Sequence, residues 1–149
     1  MAHVRTQIRS AMKSALEAGL SSSYKVFDSR KYARNIVDGE AVVDMRINED
    51  RSGGYEVMGD ERTHTASLFI RVQRSATEAT IDDALDEDEV DIVAIVEATD
   101  WSSLLEQDPE LIQVGFNDDS TTAQPIAAIV FQFDVEYRIN KSDPETVIE

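Results

Sequence analysis

The sequence predicts a single α+β domain with a mainly antiparallel or mixed sheet of about four to five strands and helices packed on one face. Three observations lead to this prediction. The first twenty residues repeat apolar side chains at helical spacing, several later segments alternate apolar and polar residues, and the helices form two groups around consecutive strands. With 149 residues, 42% of them hydrophobic, the chain can bury the core of one domain. We expect this domain at residues 1–140, followed by a polar tail at 141–149.

The first half of the chain predicts one helix and three strands. Residues 3–19 carry apolar side chains at helical spacing, and Gly19 is a natural residue at a helix end. Residues 24–28 and 41–47 are short apolar segments typical of strands, and residues 65–73 alternate apolar and polar side chains.

A long charged segment separates the last two of these strands. Residues 48–62 contain Gly53, Gly54 and Gly59 together with charges of both signs. Because glycine clusters of this kind mark turns and loops, we predict a long hairpin loop here.

The second half predicts two acidic helices followed by two strands. Residues 80–99 form the first helix, and residues 101–107 form a shorter one that ends before Pro109. Residues 111–116 and 127–139 are predicted strands, the second with the clearest alternation in the chain. The buried side of the first helix would consist of Ile81, Leu85, Val90, Ile92, Val93 and Val96.

Charge is distributed unevenly along the chain, which has a net charge of -16. Residues 1–34 carry seven Lys or Arg and two acids, whereas residues 75–137 carry seventeen acids and no Lys or Arg. Such a molecule repels DNA over most of its surface and suits head-to-tail contacts between copies. Adaptation to a saline cytoplasm would explain the acidity equally well.

The residues that usually carry catalysis or metal binding are few. The chain has no cysteine, and its two histidines, His3 and His64, lie far apart in sequence and are predicted at the surface. The acidic run 82–91 lacks the spacing and the glycine of a calcium loop, so we predict a solvated helix face. Nucleophile-elbow and phosphate-loop motifs are absent. We therefore expect a protein that is not an enzyme and binds no metal or cofactor, with Trp101 in the core.

Four parts of the chain together resemble a known family. These are the opening helix at 8–16, the segment Tyr-Lys-Val-Phe-Asp-Ser-Arg at 24–30, the return from a charged glycine-containing loop at 65–73, and the final strand Phe-Gln-Phe-Asp-Val-Glu-Tyr-Arg at 131–138. An acidic helical region precedes that strand. In this order of elements the sequence resembles the tail terminator family of long-tailed viruses, which includes the lambda minor tail protein U.

The resemblance implies a structural role in virus assembly. Tail terminators form a homo-oligomeric ring, a hexamer, that caps the tail tube, stops its polymerisation and joins the tail to the head connector. The expected partners are other copies of the chain, the tail tube protein and the connector or neck protein. DNA would pass through the lumen without specific binding, and no membrane would be involved. The expected location is the tail–neck junction of the virion, after assembly in the host cytoplasm.

Two sets of residues are candidates for these contacts. The loop at 48–62 is a candidate for docking to the tube. Its docking residues would be Glu49, Arg51, Tyr55, Met58 and Arg62. Contacts between subunits would pair basic residues of the N-terminal part with acids of the first acidic helix. These residues are Arg5, Arg9, Arg30, Lys31 and Arg34 on the basic side, and Asp82, Asp86 and Glu89 on the acidic side.

Two other functions fit the same sequence. A head-closure or neck subunit would share the virion location but bind the portal side. An acidic protein-binding module, for example a nucleic-acid mimic, would be a monomer whose binding to a cationic partner weakens with salt.

Overall fold

The computed structural model describes residues 3–29, 36, 39–53, 61–75, 80–119, 126–140 and 143–147. It is a single α+β domain with a mixed sheet and two helices, so the predicted fold class is confirmed. In chain order the elements are α1 (Val4–Gly19), β1 (Tyr24–Val26), β2 (Ala41–Gly53), β3 (Glu61–Ser75), α2 (Ile81–Ala98), β4 (Glu110–Asp119), β5 (Ile126–Asn140) and β6 (Asp143–Val147).

The sheet has the strand order β1-β2-β3-β5-β4, and β6 pairs with the end of β5. The pair β1–β2 is parallel and the other pairs are antiparallel. Strands β3 and β5 pair along their full length, from Glu61 opposite Asn140 to Ser75 opposite Ile126. β5 therefore lies between β3 and β4, although β4 precedes it in the sequence.

One face of the sheet carries the core. Because side chains alternate between faces, paired residues such as Met45, Ile70 and Phe131 point to the same side, and all three are buried. Both helices cover this face. Each fully buried Leu, Ile or Phe side chain contributes about 1.5–3 kcal/mol to folding. The helices contribute Val4, Ile8, Met12 and Leu16 from α1, and Leu85, Ile92 and Val96 from α2.

The two helices approach each other closely at Gly19. A Cβ atom at this position would lie 2.7 Å from the Ile95 side chain of α2. The predicted end of α1 at Gly19 is confirmed, and this close approach gives a packing reason for glycine there.

A buried ion pair replaces part of the apolar contact predicted for α2. Val90 is 69% exposed, and the fully buried residue of this turn is Asp88 instead. The Arg74 guanidinium donates to both Asp88 oxygens, at 2.7 and 2.8 Å, and the Tyr24 hydroxyl donates to Asp88 Oδ1 at 2.5 Å. The prediction that Val90 is buried was wrong. In this turn of α2 the side facing the sheet carries Asp88, whose carboxylate pairs with Arg74 of β3, and Val90 faces outward.

The predicted second acidic helix at 101–107 is a turn. The backbone N–H groups of Leu104 and Leu105 both donate to the carbonyl of Trp101, and no helix continues. Trp101 lies in the core as expected, and its Nε1–H donates to the Val96 carbonyl at 2.9 Å. Because the buried Trp101 side chain is bound to the last turn of α2, the chain has to turn at this point.

Two segments predicted to be irregular belong to the sheet. Strand β2 continues to Gly53 and β3 begins at Glu61, so residues 48–53 and 61–62 of the predicted loop belong to paired strands. The predicted polar tail contains β6, which pairs with β5. The composition of both segments is typical of loops. They nevertheless form strands because the backbone groups of neighbouring strands are available as hydrogen-bond partners.

Candidate subunit interface

The helix layer leaves one edge of the sheet uncovered. α1 packs against β1, β2 and β6, and α2 packs against β3 and β5, so neither helix packs extensively on β4. β4 forms the edge of the sheet and has ten residues, a length of about 33 Å at about 3.3 Å per residue. An edge strand of this length presents a row of backbone N–H and C=O groups for pairing with another chain.

Strand β4 exposes apolar side chains. Phe116 is 63% exposed, Ile112 is 47% exposed and Leu111 is 36% exposed; we call these three residues the edge strip. Leu111 and Phe116 lie opposite the buried residues Phe133 and Ile129 of β5, so they share the face that the helices cover further along the sheet. Ile112 lies at the register shift of β4. A long edge strand with exposed apolar residues is typical of an interaction surface.

An acidic hollow adjoins the beginning of β4. It has a volume of about 90 Å³ and is lined mainly by carboxylates and other polar groups. The acids are Asp108, Glu110, Asp134 and Glu136. A cationic side chain of a partner would be attracted to this hollow.

The opposite edge of the molecule has complementary properties. Lys25 is exposed on β1, and Phe27, one residue beyond β1, is 36% exposed. The Phe27 N–H donates to the Val43 carbonyl at 2.8 Å, so this residue continues the pairing with β2. α1, which packs on β1, carries the exposed Arg5 and the partly exposed Lys13, and Lys13 forms an ion pair with Glu17. One edge thus combines apolar side chains with acids, and the other combines the apolar Phe27 with the cationic Lys25.

The subunit contacts predicted from charge lie in the helix layer. Arg5 is exposed, but Arg9 is half-buried and donates to the carbonyl of Asp28 and to Thr6 Oγ1 within the same chain. On α2, Asp82 and Asp86 are exposed and Glu89 is half-buried. Since α1 and α2 pack together, the structure places these two sets on neighbouring helices. Arg30, Lys31 and Arg34 lie outside the described residues.

Three of the predicted tube-docking residues lie on strands. Glu49 and Arg51 are exposed on β2, and Arg62 belongs to β3. Tyr55 and Met58 lie outside the described residues. Residues 48–53 and 61–62 of the candidate docking segment therefore belong to two paired strands, which we call the arm.

Sequence reasoning missed the edge strip. The apolar residues of 111–116 predicted a strand, but nothing local shows that this strand lies at the edge. That position depends on β5 inserting between β3 and β4.

The two histidines lie in separate parts of the fold, and each is partly exposed. His3 is half-buried and accepts the Arg5 backbone N–H at Nδ1, capping α1, while His64 is half-buried and stacks on Tyr137 with ring centroids 5.2 Å apart. Among the described residues, no group of three or more His, Asp or Glu side chains could hold a metal ion. The described helices include none long and apolar enough to cross a membrane.

No protein-family model matches the sequence, and no curated protein is significantly similar to it.

Proposed function

We propose that the chain is a structural virion protein, a tail terminator that forms a ring on the tail tube, stops its polymerisation and joins the tail to the head connector. The family assignment rests on the resemblance of the segments 24–30 and 131–138 and on the order of elements. The observation that carries self-assembly is the exposed apolar edge of β4.

The difference between the two edges of the sheet favours a ring and not a symmetric dimer. The edge strip and the acidic hollow lie at β4, whereas Lys25 and Phe27 lie at β1 on the other side of the sheet. A contact between two different surfaces is heterologous and leaves one of each surface available for the next subunit. Such contacts close into a ring when the rotation between subunits allows it, and the resemblance implies six subunits.

The arm formed by β2 and β3 is the proposed contact with the tail tube. Its outer part carries Glu49 and Arg51 in exposed positions and extends to Gly53, which pairs with Thr63. The overall negative charge of the chain supports a lumen through which DNA passes without sticking, because a basic lumen would bind phosphates.

The first test combines the purified protein with its candidate tail tube protein. Negative-stain imaging should show rings, or tubes that are capped at a fixed length. Phe116→Lys puts a charge into the edge strip and should abolish the rings while changing the stability of the monomer by less than about 0.5 kcal/mol, as is usual at exposed sites.

Ala98→Lys is the matched control, since it adds the same charge at an exposed position at the end of α2, which packs mainly on β3 and β5 and not on the two edge strands. This variant should assemble like the wild type. A wild-type protein that forms no rings and leaves tube growth unchanged at low and high salt would overturn the proposed function. Equal loss of assembly in both variants would show that the contact is not at β4.

A further inference from the structure

The face of the sheet opposite to the helices contains a second hollow, which we call the arginine hollow. It has a volume of about 130 Å³ and extends across four strands. It is lined by Asp44, Arg46, Phe69, Arg71, Asn117 and Val130. Asp44, Arg71, Val130 and Gly115 lie opposite one another in a single row across the sheet. Gly115 has no side chain and leaves open space at the end of this row.

The two arginines of the hollow have different surroundings. Arg71 donates from Nε and Nη2 to the two oxygens of Asp44, at 3.1 and 2.5 Å, so its charge is neutralised by a buried carboxylate. Arg46 lies over the Phe69 ring, 5.6 Å from its centroid. Within the part of the chain that the structure describes, no carboxylate pairs with Arg46. The described residues that line the hollow therefore carry two positive charges and one negative charge, on a strongly acidic molecule.

The outer side of α2 has the complementary pattern. Val90 is 69% exposed, and helical spacing places the exposed residues Asp83, Asp86, Glu87 and Ala94 around it. This stripe has a small apolar centre with acids on both sides. The lining of the arginine hollow includes the apolar Val130 and Phe69, and the Arg46 guanidinium lies over the Phe69 ring.

We infer that the outer stripe of α2 from a second copy docks in the arginine hollow, with Val90 against Val130 and an α2 carboxylate on Arg46. The partner is another copy because its α2 supplies exposed carboxylates for Arg46, since Asp44 is engaged by Arg71, and an exposed apolar side chain that can contact Val130. An arginine guanidinium binds a carboxylate through two parallel hydrogen bonds, and removal of water strengthens this contact.

This contact differs from the one at β4. α2 and the arginine hollow lie on opposite faces of the sheet, so their contact is also heterologous and adds subunits in one direction. The inference rests on the proposed self-assembly and assigns it a second contact.

A charge exchange tests the contact. Arg46→Asp and Asp86→Arg should each weaken self-association by at least about tenfold in sedimentation velocity, since like charges would then face each other. The double variant Arg46→Asp/Asp86→Arg should recover association, because every contact again pairs one acid with one arginine. Asp91→Arg is the control, because Asp91 is equally exposed but lies off the stripe.

The absence of cysteine allows a second measurement. Val90→Cys and Asn117→Cys proteins, mixed and oxidised, should form a covalent heterodimer, whereas Ser102→Cys in place of Val90→Cys should not. Absence of recovery in the double variant, together with absence of the cross-link, would overturn the inference. If Phe116→Lys still abolished rings in that case, the proposed function would stand without this second contact.

Discussion

At the scale of single residues, the most consequential group is the buried set formed by Asp88, Arg74 and Tyr24. Asp88 is fully buried and Arg74 is 7% exposed. Burial of two charges costs free energy that their attraction and the surrounding hydrogen bonds offset, so the pair does not by itself imply extra stability. It does link α2, β3 and β1, and removing one partner leaves the other charged and buried.

We predict that Asp88→Asn lowers the free energy of unfolding by about 3–5 kcal/mol, the usual cost of breaking a buried ion pair. Urea denaturation followed by circular dichroism measures the effect. Asp83→Asn, the same change at an exposed position on α2, should cost less than about 0.5 kcal/mol. Similar losses in the two variants would show that the buried pair is not important for stability.

Tyr24 gives this group a pH dependence. Burial raises the pKa of the Tyr24 phenol far above its usual value, and the hydrogen bond to Asp88 raises it further. In the unfolded chain the phenol loses its proton near pH ~10, whereas the folded protein retains it. The stabilisation is therefore complete below that pH and is lost progressively as the pH rises above it.

We predict that wild-type stability in urea falls more steeply between about pH 9 and about pH 11 than the stability of Tyr24→Phe, which has no proton to lose at this position. The comparison uses the midpoint of unfolding at each pH. Parallel curves for the two proteins would contradict a raised pKa for Tyr24.

At the scale of elements, a regular spacing of apolar residues was sufficient to predict a helix or a strand. α1 and β5 combine many apolar residues with a regular spacing, and the limits of each were predicted to within one residue, whereas β3 was predicted only over its central part, 65–73. The extension of β2 and β3 into the predicted hairpin loop was missed because the residues there are charged and the strands are held by pairing between β2, β3 and β5. Long-range pairing of this kind is not encoded in local composition.

The error on α2 has a similar origin. Helical spacing allows residue 88 in the buried stripe, but an aspartate there is acceptable only with a buried partner. That partner, Arg74, lies in β3, and its position depends on the packing of α2 against the sheet. The turn after Trp101 also depends on tertiary packing, because the indole fills the core at the end of α2.

At the scale of the whole molecule, the sequence indicated which charges could meet but not where apolar surface would remain uncovered. The charge asymmetry between the N-terminal part and the remainder can be read directly from the chain. The edge strip and the arginine hollow each depend on strand order, which brings β4 to the edge and β2, β3, β5 and β4 into one row. Candidate contacts of this kind require the fold.

The net charge of -16 also determines how the whole molecule responds to salt. Exposed acids such as Asp82 and Asp86, or Asp83 and Glu87, lie four residues apart on α2 and repel each other. Salt screens this repulsion, since the Debye length falls from about 30 Å at 0.01 M to about 3 Å at 1 M. Folding brings these charges together, so screening favours the folded state.

We predict that the melting temperature rises with NaCl over this range by at least about 3 °C, which corresponds to about 1 kcal/mol for a domain of this size. The measurement uses the double variant Phe116→Lys/Arg46→Asp, in which both proposed contacts should be lost, so that the salt effect on folding is separated from any effect on association. Removing two charges with Asp83→Asn/Glu87→Gln in this background should reduce the rise. A melting temperature that stays constant or falls with salt would mean that attraction between the basic N-terminal part and the acidic remainder outweighs the repulsion, and the acidity would then serve contacts within the molecule.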